Sequence, residues 1–192
     1  MSVDLSATIN QPFDLDRFVS TAQTTLGQLT GTAPPDLQTI SGRIYRRGQL
    51  VEPGAVVPRG SATTLGDPDD PSLSEPVSGR GYLVLKPDSL TDEVFFFVHD
   101  GRRHLPSEPL RAVFSPARTP VGVTLATSAA IAAAIEGRGE LIDLEIRFVE
   151  PPVADPMEFV KMTMLPPREK PFGEACLDWV RQFENLEGWP PA

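Results

Sequence analysis

Apolar residues recur every three to four positions from Leu15 to Leu29. Leu15, Phe18, Val19, Ala22, Leu26 and Leu29 fall on one face at that spacing, which predicts an amphipathic helix over about 14–30. Asp14 is placed to cap it, with Asp16 in the positively polarised first turn. Phe13 precedes the cap and can staple onto Phe18. Gly31 is the stop, and Pro34-Pro35 enforces it. Beyond the prolines the pattern shortens. Ile40 to Arg46 reads as a strand, "RRGQ" as a turn and Leu50-Val51 as the return of a hairpin. Residues 53–78 lose all periodicity and fill with Pro, Gly, Ser and Asp, which predicts one long loop.

Strands return at Tyr82 to Lys86 and at Val94 to Val98. The second, "VFFFV", is apolar at every position and predicts a central strand covered on both faces. "HDGRR" reads as a turn, and Leu110 to Phe114 as a further strand closed by Pro116 and Pro120. A helix follows over about 121–136, ended by Gly137 and Gly139. Leu141 to Val149 then alternates, with Ile142, Leu144, Ile146 and Phe148 on one face and Asp143, Glu145 and Arg147 on the other. Met157 to Leu165 reads as another strand with Val160, Met162 and Met164 inward. A last helix covers about 172–183, with Phe172, Cys176, Val180 and Phe183 along one side. Helices do not alternate one-for-one with strands, so a doubly wound parallel sheet is disfavoured. The expectation is a single α+β domain over 1–192: a mostly antiparallel sheet with about three helices packed on one face.

The alanine-rich stretch of the 121–136 helix invites two other readings. As a membrane span it is too short: 15 residues run from Val121 to Ile135, with Thr124, Thr127 and Ser128 among them, where a span needs about 20 apolar residues. As a dinucleotide fingerprint it has the wrong order. Its "GRG" follows a helix and precedes a strand, whereas a phosphate cradle needs strand, glycines, helix. Scaffold remains: alanine lets a helix lie close to its neighbours and favours the helical state.

Charge narrows the partners. The chain has 192 residues and a formal net charge of −9. Such a surface repels nucleic acid and anionic lipid, and would speed encounter with a basic protein. The 21 prolines stiffen the loops. The N-terminus lacks a basic region followed by an apolar one, so no secretory signal is read and a cytoplasmic location is expected. One cysteine, Cys176, permits no internal disulfide and reads as a buried small hydrophobe.

Few residues carry candidate chemistry. "HDGRRH" holds both histidines, His99 and His104, with Asp100 beside the first; a base with its orienter or a metal pair is conceivable. The spacing matches neither a helical two-His zinc motif nor a zinc finger, and no G-x-S-x-G nucleophile motif is present. No cofactor and no metal is expected. Asp67, Asp69, Asp70 and Glu75 crowd the long loop. Pro71 and Leu73 fall where a calcium loop needs oxygen, so these carboxylates read as a solvated loop or as contacts for Lys and Arg of a basic protein partner. "RIYRRG", with Tyr45 among arginines, reads as a hairpin end rather than a nucleic-acid platform.

The segment "LATSAAIAAAIEGRGELIDLEI", residues 125–146, resembles a stretch found in some α+β immunity proteins of bacterial toxin systems. The resemblance implies a small, acidic, cytoplasmic antidote that neutralises a toxin by covering its active surface. It carries over no functional residue. Two other classes stay open: a structural or assembly component of a secretion apparatus or phage particle, and an enzyme or small-ligand protein using His99, Asp100 and His104.

Overall fold

The computed structural model describes residues 4–46, 49–66, 83–100, 108–143 and 146–186, the side chains of Tyr45, Arg46 and Asp100 aside. Among the described residues the chain forms a seven-stranded sheet, two smaller two-stranded pairings and four α-helices, an α+β architecture. The strands are β1 (Leu5–Ile9), β2 (Phe13–Asp14), β3 (Leu37–Ser41), β4 (Ile44–Arg46), β5 (Gln49–Glu52), β6 (Ala55–Val56), β7 (Thr64–Leu65), β8 (Leu83–Pro87), β9 (Val94–Asp100), β10 (Leu110–Pro116) and β11 (Leu141–Ile142). The helices are α1 (Leu15–Thr30), α2 (Pro120–Glu136), α3 (Pro156–Thr163) and α4 (Phe172–Arg181). The main sheet runs β11-β1-β10-β9-β8-β3-β6, antiparallel throughout.

α1 starts and stops as its sequence dictates. Asp14 accepts the N–H of Arg17 at 3.0 Å, and the rings of Phe13 and Phe18 lie 5.9 Å apart. Gly31 ends the helix at φ 67°, a left-handed conformation costly for other residues. A Cβ there would also sit 2.2 Å from the carbonyl oxygen of Pro166. Glycine is therefore required twice over.

α2 is apolar all round because it has no solvent face. Every residue from Val121 to Ala134 is buried. It lies against β1 and β10 on one side and against α1, α3 and α4 on the others. Its small side chains permit this close approach. Thr119 caps its start through the N–H of Gly122, with Pro120 in the first turn. At its end the left-handed residue is Arg138, at φ 49°. Gly139 is needed for proximity: a Cβ there would meet the carbonyl of Thr8 at 1.8 Å.

Four expectations from the pattern are corrected. The stretch 157–165 is not a strand: it is α3, capped by Asp155, which accepts the N–H groups of Met157 and Glu158, both at 2.8 Å. Phe159, Val160 and Thr163 point inward, while Met162 and Met164 are exposed. The strand from Leu141 stops at Ile142. Asp143 is buried and takes the backbone donors of Ile146, Arg147 and Phe148, which would otherwise serve a ladder. The stretch 40–46 is broken at Gly42, so that β3 joins the main sheet while β4 pairs only with β5. The first part of the 53–78 loop carries β6 and β7, which pair with β3 and β2. A central strand, β1, also went unread in the pattern although the buried Leu5, Ala7 and Ile9 alternate with half-buried neighbours.

The aromatic side chains divide into two groups. Phe18, Phe96 and Phe114 stack between α1 and the sheet at 5.3–6.1 Å. Phe148, Phe159, Trp179 and Phe183 join α3, α4 and the segment after Asp143 at 4.7–5.9 Å. The indole of Trp179 donates to the carbonyl of Thr163 at 3.0 Å, tying α4 to the end of α3.

Candidate interaction surface

The β4–β5 hairpin leaves the body at the β6 edge of the sheet. Its base is fixed by Arg43, whose Nε donates to the carbonyl of Pro53 at 3.0 Å and whose Nη1 pairs with Glu93. Both side chains of that pair are largely buried, at 12% and 15% exposure. Beyond this anchor the return strand is unpacked. All four residues of β5 are exposed, Leu50 at 47% and Val51 at 50%. Neighbouring residues of a strand face opposite sides. Exposure of both therefore means that neither face of β5 rests on the body. The next strand, β6, closes the sheet with two more exposed residues, Val56 at 55%. Three apolar side chains thus stand in water on consecutive edge strands, a liability in a sheet edge unless something covers it.

The face of the sheet turned away from the helices carries a second feature. Thr8 of β1, Arg111 of β10 and His99 of β9 are cross-strand neighbours in one row. All three are partly buried. The next row holds Ser6, Val113 and Phe97. A third feature is an open groove of about 1050 Å³ along the outer face of α1, bordered by Gln23, Thr24, Gly27, Met164 and Arg168.

The residues singled out in the sequence are placed unevenly. His99 lies in β9 itself, not in a turn, and Asp100 ends that strand opposite Leu110. His104 lies outside the described residues, as do Asp67, Asp69, Asp70 and Glu75. Among the described residues no group of three or more His, Cys, Asp or Glu side chains is arranged to hold a metal ion. Cys176 is buried between α4 and α2, as read; burial pushes its thiol up to about 12, against a hydrogen bond from Thr124 that lowers it. Among the described residues no helix is long and apolar enough to cross a membrane.

Two features were missed. Leu50 and Val51 were read as a strand but not as a surface, because sequence does not say whether a hairpin packs. Arg111 is one charge in an apolar strand; only the register sets it beside His99 and Thr8. Comparison with known proteins finds no family model, curated protein or solved structure that matches this chain.

Proposed function

We propose that this protein is a non-enzymatic binding protein that recognises a protein partner. We further propose that the partner is a toxin it neutralises, the role of the immunity proteins that residues 125–146 resemble. The observation that carries the binding reading is the hairpin edge: Leu50, Val51 and Val56 are exposed on consecutive strands while Arg43 anchors the base. A two-stranded ribbon whose outer strand is exposed on both faces gains little stability by itself and gains more when a partner covers it. The net charge of −9 favours a basic partner, whose encounter it would accelerate. Of the two features that would suit an assembly component, long Pro-rich loops and an edge strand over 157–165, the second is missing because that segment is helical.

Affinity capture from the native host tests this reading. A single basic protein retained stoichiometrically at low salt and released by high salt supports it. Capture of none at low salt removes it.

A further inference from the structure

Carboxylates are plentiful in this chain, with 26 acidic against 17 basic residues. Arg17, Arg43, Arg147 and Arg168 each meet one: Glu136, Glu93, Glu150 and Asp178 respectively. Arg111 meets none among the described residues, and its buried Nε has no hydrogen-bond partner there. The omission is one of position, not composition. Folding has placed a guanidinium on a central strand, half out of water, and left it without an anion.

Its neighbours in the row are also suited to donate. Thr8 Oγ1 accepts the N–H of Glu140 at 2.7 Å, which leaves its own hydroxyl hydrogen to point elsewhere. His99 sits opposite Arg111 on the other side. Directly opposed residues of adjacent antiparallel strands hold their Cβ atoms about 5 Å apart. Arg111 is therefore flanked by Thr8 and His99 across three strands, and the one carboxylate that continues the row, Glu140 beyond Thr8, is exposed and makes no ion pair with Arg111.

We propose that the Thr8–Arg111–His99 row is an oxyanion-binding site, with Arg111 as its anchor. The ligand chemistry is a carboxylate or phosphate group, which a guanidinium matches with parallel N–H donors. Because Nε has no partner to surrender, turning the guanidinium toward a ligand breaks no hydrogen bond made by that atom. The proposal is independent of the hairpin and stands or falls separately.

The test is a titration of the full-length 15N-labelled protein with inorganic phosphate, with acetate and with chloride at matched ionic strength, following the Arg111 Nε–H and the amides of β9 and β10. Saturable shifts with phosphate or acetate, absent with chloride, are expected. Phosphate alone acting would assign a phosphoryl ligand; both acting would assign a carboxylate-tolerant site, and either supports the proposal. Arg111→Lys should weaken binding by about tenfold, since a point charge replaces a fork. Arg111→Gln should abolish it, with spectral dispersion showing that each variant is folded. Shifts that do not saturate, that appear equally with chloride, or that persist in Arg111→Gln would overturn the proposal.

Discussion

Asp143 Oδ2 accepts the backbone N–H of Phe148 at 2.6 Å. The other carboxylate oxygen takes Ile146 and Arg147 at 3.0 and 2.8 Å, so one side chain organises the turn after β11. Phe148 is thereby held within 4.7 Å of the Phe183 ring and 5.3 Å of Trp179. Asp143→Ala would leave three backbone donors unserved, two of them buried. A loss of about 3 kcal/mol is expected, read as a lowered denaturation midpoint with the slope unchanged. A midpoint within error of wild type would show that water or a relaxed turn serves those donors as well.

Ala132 is fully buried in α2, between the sheet and the outer helices. Ala132→Leu adds three carbons where every side is packed. A cost of about 1–3 kcal/mol is expected from thermal or chemical denaturation. A neutral result would place a cavity beside α2 that can absorb the side chain.

Cys176 should behave as a core residue. Its thiol is pushed up to about 12, chiefly by burial, with Asp92 adding to the rise and the Thr124 hydrogen bond opposing it. Near pH 8 the folded protein should therefore react with a thiol reagent on the order of a thousandfold slower than the unfolded chain. Rapid labelling under native conditions would contradict this packing of α4 on α2.

Asp178 accepts from Lys170 at 2.6 Å and from Arg168 at 2.8 Å. The hydrogen bond from Lys170 is the main cause holding its carboxyl below the usual range; partial burial opposes this, and the nearby Lys170, Arg168 and Arg181 charges add to the lowering. A carboxyl lowered by folding stabilises above its unfolded value of about 4, and that contribution disappears as pH falls through the folded value. Asp178→Asn should thus lower the melting temperature slightly at neutral pH, with the gap closing in acid. The partners are partly exposed, so the effect should be small and salt-sensitive. A gap independent of pH would assign the loss to packing.

How far sequence reaches can be seen at particular residues. Asp14, Phe13 and Gly31 carry their roles locally, so α1 was readable to its caps. The "VFFFV" run marks β9 as a strand, but the cover expected on both faces is found on one: Val94, Phe96 and Val98 are buried, while Phe95 and Phe97 on the other face are half-buried. Met157 to Met164 is ambiguous, since its apolar positions fit either period. The Asp155-Pro156 pair decides for a helix, through a side-chain cap and a proline that begins the first turn. Leu141 to Val149 alternates as a strand should, but one buried carboxylate diverts the backbone donors after Ile142. β1 was missed because Ala7 contributes little apolar signal, though pairing with β10 and β11 makes the strand central. The exposure of Val51 and the isolation of Arg111 depend on what does not pack against them, which no local pattern encodes.

The central claim is that the hairpin edge meets a protein partner. The most direct measurement compares wild type with Val51→Asp in the same low-salt capture from the native host, with melting temperatures measured in parallel. Val51 is half exposed, so the variant should melt within a degree or two of wild type. The account predicts that wild type retains a basic protein stoichiometrically and that Val51→Asp loses it. Equal retention by the folded variant would contradict it.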